Sequence, residues 1–448
     1  SNVETSFGST ASGTTTSSVA PTITSPTAAN ITATAADLGG NITSDGGAAI
    51  TARGVVWAAT SLNNDPSIGG SNVTNVTGTG TTGVFTVNAT SLPAATQISY
   101  KAYATNSQGT TYTSASTFYT AALAPTTQAS AIGFSSVATT SMTISWTNGN
   151  GGNRAVFMKA GTGAITNPTN GVSYTASSNF SSPGTQLGSS GYYCIYNGTG
   201  SSVGVTNLSA GTNYTVQVFE YNIDGSNNTS TISYYTATAS GNPAASATLS
   251  LEPLAQAASF SATVASSSSI SLSFSAASSI TNASGYIVIQ KTGSSVPTGT
   301  PADGTAYTAA ATIGDGTVAA VITNTAATSQ TITSLSAATQ YSFVLIPFGY
   351  NGTDAGTYNY YTGGTIPSAS ATTYAATPAS QPTALSFSSV TCNTMTASWT
   401  AASGSPDGYL VLRSSGATAP NTDPVIGTTY SQGSSLGNAT VAYVGSNV

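Results

Sequence analysis

Leu208-Ser-Ala-Gly-Thr-Asn-Tyr214 returns later in the chain as Leu335-Ser-Ala-Ala-Thr-Gln-Tyr341. Each copy runs on into a stretch read as an alternating strand, and each stretch ends in a Tyr-Asn pair, Tyr221-Asn222 and Tyr350-Asn351. A repeated block of this kind points to tandem copies of one supersecondary unit. Period-two alternation of large and small residues is the pattern of a half-buried strand.

Upstream, Met142-Thr-Ile-Ser-Trp146 matches Met395-Thr-Ala-Ser-Trp399, and Ile270-Ser-Leu-Ser-Phe274 is a third copy. Phe134-Ser-Ser-Val137 and Phe387-Ser-Ser-Val390 precede the two Trp copies at the same distance. The next strand aligns Ala155-Val-Phe-Met-Lys159 with Tyr286-Ile-Val-Ile-Gln290 and Tyr409-Leu-Val-Leu-Arg413. A loop tyrosine then follows a glycine in Gly171-Val-Ser-Tyr174, Gly304-Thr-Ala-Tyr307 and Gly427-Thr-Thr-Tyr430. The first part of the chain is a divergent relative, with Ala52-Arg-Gly-Val-Val-Trp57, Leu92-Pro-Ala-Ala-Thr-Gln-Ile98 and Tyr100-Lys-Ala-Tyr-Ala-Thr-Asn106. Ile98 there replaces the tyrosine of the opening motif.

The pattern Leu-x-Ala-x-Thr-x-Tyr resembles the tyrosine corner of fibronectin type III domains. The resemblance implies that Leu208 and Leu335 cap their cores. It also implies that the hydroxyls of Tyr214 and Tyr341 bond the backbone at the entrance to the next strand. The chain from residue 20 onward resembles the fibronectin type III-like repeats of large secreted surface proteins of the Bacteroidota. The expected fold is all-β: tandem immunoglobulin-like (fibronectin type III-like) sandwiches in a rod. The expected organisation is a polar N-terminal segment over 1–19 and sandwiches over 20–122, 123–249 and 250–374. An incomplete fourth spans 375–448, matching its relatives only as far as Leu436–Val444. Its missing strands would come from a longer chain or from another subunit, with residues 1–19 as the nearest donor, although Ser6–Gly13 alternates poorly. The linkers Ala121–Thr126, Leu249–Leu254 and Tyr374–Pro382 are short and carry proline, which limits bending.

Composition narrows the function. Only 4% of the 448 residues are charged, against about 25% in ordinary soluble domains. Six cations and a net charge of −6 exclude a nucleic-acid or anionic-membrane partner. No apolar run is long enough to insert in a bilayer. The polar start Ser1-Asn2-Val3-Glu4 fits a mature or trimmed chain. With no histidine, Ser-His-Asp, Cys-His and His-based zinc sites are excluded within this chain. Cys194 and Cys392 fall in different sandwiches and read as two small buried thiols.

Paired carboxylates are the one catalytic route left, and the acids are scattered beside Gly, Pro or Asn, as turn residues are. Glu220 sits inside Val218-Phe-Glu-Tyr221 and reads as an outward-facing strand residue. No cofactor is implied; calcium stays open as a weak candidate, without an Asp-x-Asp cluster. Arg53, Arg154, Lys159, Lys291 and Arg413 fall in or beside one repeated strand. They read as one solvent-exposed sheet face, with a ligand stripe as the alternative. Asn72, Asn75, Asn197, Asn227 and Asn351 head Asn-x-Ser/Thr sequons and are candidate glycosylation positions. The expected function is non-catalytic and extracellular: part of a cell-surface filament or adhesin stalk that self-associates or joins neighbouring repeats and meets a glycan or surface ligand. The alternative is a carbohydrate-binding or spacer region of a secreted polysaccharide-degrading enzyme.

Overall fold

The structure, a computed structural model, describes residues 17–404 and 406–446. Most of the expected N-terminal segment, including Ser6–Gly13, lies outside the described residues. The chain divides into two compact units, Ser1–Thr248 and Leu249–Val448. All of the named strand pairs are antiparallel, so the expected all-β class is what is found.

The first unit opens with β1 (Thr22–Ala29), β2 (Ala35–Ser44), β3 (Ala52–Ala59), β4 (Thr74–Gly78), β5 (Gly83–Thr90), β6 (Gln97–Asn106), β7 (Gly109–Tyr112) and β8 (Ser116–Tyr119). They make one sheet β1-β2-β5 and a second β4-β3-β6-β7, with β8 also on β6. Leu38, Phe85 and Val87 from the first sheet meet Val55, Trp57 and Tyr100 from the second in one core. β5 shows the strict alternation of a strand with one wet face: Phe85, Val87 and Ala89 are buried and their neighbours are not.

The second sandwich has β9 (Ser130–Ser135), β10 (Met142–Thr147), β11 (Asn153–Ala160), β12 (Tyr193–Gly198), β13 (Ser202–Val205), β14 (Asn213–Asn222), β15 (Ser233–Tyr234) and β16 (Ala244–Ala247). Its sheets are β13-β10-β9 and β12-β11-β14-β15, with β16 on β14. In the second unit, the third sandwich has β17 (Ser261–Val264), β18 (Ile270–Ser273), β19 (Gly285–Thr292), β20 (Thr312–Ile313), β21 (Gly316–Ile322), β22 (Ser329–Ile332), β23 (Gln340–Gly349), β24 (Asn359–Tyr360) and β25 (Ser368–Thr372). It repeats the plan as β17-β18-β22 against β20-β21-β19-β23, with β24 and β25 on β23.

These two sandwiches carry a second hydrophobic cluster on the outer face of one sheet. Inside the second, Ile144, Trp146, Val156, Val216 and Val218 form the core between sheets. On the outer face of the same sheet, Tyr174, Leu187 and Tyr192 fold over Phe157, Phe219 and Tyr221. The third sandwich does the same, with Tyr307 and Ile313 over Ile287, Ile289, Ile346 and Phe348. β14 and β23 are therefore buried along almost their whole length, and neither alternates as expected. A strand covered on both faces needs apolar residues at consecutive positions.

The hydrogen-bond ladders also correct the repeat alignment. A bulge falls between Val156 and Phe157, between Val288 and Ile289, and between Val411 and Leu412. Arg154, not Ala155, is thus the counterpart of Tyr286 and Tyr409. One residue of slip exchanges the two faces of a strand. Both frames read as apolar because the sheet is covered on both sides.

The last sandwich comprises β26 (Thr383–Ser388), β27 (Thr396–Thr400), β28 (Tyr409–Arg413), β29 (Ser435–Leu436) and β30 (Ala439–Gly445), paired as β26-β27 and β28-β30-β29. Among the described residues β28 pairs on one edge only, whereas β11 and β19 pair on both. Leu385 and Met395 are 60% and 58% exposed, while their counterparts Ile132 and Met142 are 9% and 2% exposed.

Candidate functional site

Each complete sandwich closes at its Leu-x-Ala-x-Thr corner. Leu208 and Leu335 are buried, and so are Tyr214 and Tyr341. Tyr214 Oη accepts from Ser209 N at 2.8 Å, and Tyr341 Oη accepts from Ser336 N at 3.0 Å. In the first sandwich Leu92 and Ile98 fill the same corner without a hydroxyl. The loop tyrosines use the same reach of five residues: Tyr174, Tyr307 and Tyr430 accept from Thr169, Ala302 and Val425 N.

The corner threonine has a partner that sequence reasoning missed. Thr120, Thr248 and Thr373 are buried at the ends of their sandwiches. Their hydroxyls donate to the carbonyls of Pro93, Ser209 and Ser336 at 2.6–2.7 Å. Each hydroxyl accepts in turn from the backbone N of Thr96, Thr212 or Thr339, the threonine of the motif. The signal was the recurrence of Thr immediately before each linker. Ala121 still belongs to the first sandwich, since its N donates to Thr32 O and its O accepts from Ala95 N. The next residue belongs to the second: Ala122 N donates to Thr231 O at 2.7 Å, and Asn222 Nδ2 to Leu123 O at 2.9 Å.

Arg154 and Glu220 form the most buried ionic site among the described residues. The guanidinium meets the carboxylate through Nε–Oε1 and Nη2–Oε2, both 3.1 Å, with side chains 5% and 0% exposed. Gly149 N and Gly151 N donate to the two carboxylate oxygens at 2.8 and 3.1 Å. Arg154 also donates to the carbonyls of Thr199 and Gly151. Glu220 is therefore not the outward-facing residue expected from its strand. A carboxylate survives burial when it is paired and its remaining lone pairs are filled, as here. Tyr286 and Pro347 hold the same two positions in the third sandwich. That exchange has a local consequence. Gln128 Oε1 accepts from Glu220 N at 2.8 Å, but Pro347 has no N–H, and the matching Gln256 Oε1 is buried without a partner.

The expected stripe of exposed cations is likewise corrected. Arg53 lies over the Phe85 ring at 4.9 Å and donates to Thr79 O and Thr81 O. Lys159 Nζ donates to Ser190 O beside the Tyr192 ring. Lys291 pairs with Asp315 at 2.7 Å. Long cationic side chains reach loop carbonyls while their stems cover apolar surface. Of the five, Arg413 is exposed.

The acids shape turns. Asp45 accepts from Gly47 N, Asp224 from Asn228 N, Asp303 from Tyr360 N and Asp354 from Gly356 N. Asp37 accepts from the Asn88 and Asn30 amides, and these bonds hold its carboxyl below the ordinary value. Burial first, and then the nearby Asp303 charge, push the Glu252 carboxyl up. Among the described residues no three His, Cys, Asp or Glu side chains gather to hold a metal ion.

Of the sequon asparagines, Asn72, Asn75, Asn227 and Asn351 are exposed. Asn351 Oδ1 is taken by Thr353 N and Asp354 N. Asn197 does not suit a glycan: its Nδ2 donates to Tyr174 O at 2.9 Å and its Oδ1 accepts from Tyr221 Oη at 2.6 Å. Cys194 is buried as expected, but Cys392 is exposed. Burial pushes the Cys194 thiol up to about 12. A groove of about 630 Å³ lies on the last sandwich beside Tyr409, Leu410, Val425, Ile426 and Tyr430.

No protein-family model matches the chain, and no curated protein matches it significantly. Among solved structures, the crystal structure of the chicken CNTN1 FN1-FN3 domains is similar at 14% identity. The match covers 80% of this chain and 99% of that one, with a TM-score of 0.28. Among the described residues no helix is long and apolar enough to cross a membrane.

Proposed function

We propose that this chain is a non-catalytic segment of an extracellular structural protein, part of a cell-surface filament or adhesin stalk. One observation carries the reading: most charged groups among the described residues are engaged in holding the fold. Asp45, Asp224 and Asp354 bind turns, Asp303 holds Tyr360 N of β24, Arg154–Glu220 is a buried pair and Lys291–Asp315 a partly exposed one. What faces water is mostly hydroxyl, amide and glycine, a surface suited to contact along its length rather than to steering a charged substrate. Self-association belongs to the same reading. Tyrosines such as Tyr221, Tyr234, Tyr358 and Tyr360, which could have formed a sugar platform, are instead packed ring on ring inside the sandwiches. Antibody against this chain should label surface filaments on intact source cells, and external protease should remove the label. Label that appears only after the cells are opened overturns the proposal.

A further inference from the structure

The third sandwich stacks three phenol rings where the second uses fewer. Tyr350 and Tyr358 lie with ring centroids 4.4 Å apart and planes 14° from parallel. Tyr358 also faces Tyr360 at 5.7 Å and 12°. The ladders put the two sandwiches in register here: Phe348 pairs with Tyr360 as Tyr221 pairs with Tyr234. Counting on from those pairs, the second sandwich has Ile223 and Ile232 where the third has Tyr350 and Tyr358. Two isoleucines suffice to fill this part of the fold, so packing alone does not call for two phenols. Tyr358 is buried, whereas Tyr350, just past β23 and near the turn at Gly352, is only partly buried. The inner ring is thus held in place, and the outer one is open to reagents in solution.

We propose that Tyr350 and Tyr358 form an oxidative cross-linking site, at which a one-electron oxidant of the peroxide–peroxidase class joins the two rings through their ortho carbons. Each phenol gives up one electron to the oxidant and its hydroxyl proton to water. The two phenoxyl radicals then couple, and a carbon–carbon bond forms between the rings. Each ring regains aromaticity as its ortho hydrogen leaves carbon and a proton returns to the oxygen. In sum two hydrogen atoms are lost, and one hydrogen peroxide becomes two waters. Coupling between two radicals depends on their meeting before either is quenched, so a stacked pair held in one fold is favoured over chance encounters. Tyr360 is farther from Tyr358 and buried, which leaves Tyr350 as the preferred partner.

Asp354 lies between the two tyrosines, which makes the test direct. The full chain is treated with hydrogen peroxide and a peroxidase, then cut on the amino side of aspartate. That cleavage yields separate fragments 315–353 and 354–406. The expected result is one joined species, lighter than the sum by two hydrogen atoms, with dityrosine fluorescence. Tyr350→Phe and Tyr358→Phe should each abolish it, and Tyr360→Phe should leave more than half. Tyr350→Phe changes the less buried ring, and an unchanged melting curve shows that its loss of product is not a loss of fold. Fragments that separate after oxidation, a joined species that persists in Tyr350→Phe, or cross-links only between two chains would each overturn the proposal.

Discussion

Tyr214 and Tyr341 each close a corner by accepting one backbone hydrogen bond from five residues upstream. Losing a hydroxyl that serves a buried N–H removes about 1 kcal/mol or more. Tyr214→Phe should therefore lower the stability of the second sandwich, and Tyr341→Phe that of the third, by about 1 kcal/mol in urea unfolding. Cys194 and Cys392 should separate sharply in a second measurement. An alkylating reagent at neutral pH should modify exposed Cys392 at once and Cys194 only after denaturation. The Cys194 thiol is raised from 9.0 to about 12, so its contribution is fully present below pH 9 and is lost as the pH rises toward 12. At this scale the sequence was readable where spacing carried the message, as in Leu208 and Tyr214. It was unreadable at Glu220, because its burial depends on Arg154 across the ladder and on two glycine N–H groups from a distant loop.

β11 and β14 show how an element can be placed correctly and still be misread. Both strands were legible from their apolar runs, but the register of β11 against the other repeats slipped by one residue. A strand wet on one face would have exposed the slip, since charged residues would have landed inside. Here the outer layer of Tyr174, Leu187 and Tyr192 makes both faces apolar, and the loop that brings it has no periodicity to read. The corrected register sets Arg154–Glu220 against Tyr286–Pro347. Breaking a buried pair strands a charge and costs about 3 kcal/mol or more. Arg154→Ala should destabilise the second sandwich by that amount, followed by Trp146 fluorescence in a chain whose other tryptophans are Phe. Arg154→Tyr combined with Glu220→Leu should cost less than Arg154→Ala alone, because no charge is left behind.

The whole chain was most legible in its charge count, and this governs its response to acid. Asp315 is held at about 2, first by its hydrogen bond from Lys291 and then by Thr298 N. Its stabilising effect is present above the ordinary value of 3.8 and disappears as the pH falls toward 2. Asp37, also lowered, acts in the same direction. Glu252, raised, acts in the opposite one, since protonation relieves its burial. With only twelve acids in the chain, the melting temperature should change little from pH 7 to pH 4 and fall below that. A steep loss between pH 6 and pH 5 in calorimetry would contradict this account. Within the first unit, the passage from Ala121 to Ala122 has a mechanical meaning. One peptide unit separates the last bond made to the first sandwich from the first bond made to the second. There is no slack to take up, so a pull along the backbone would load the hydrogen bonds of both neighbours from the first ångström of extension.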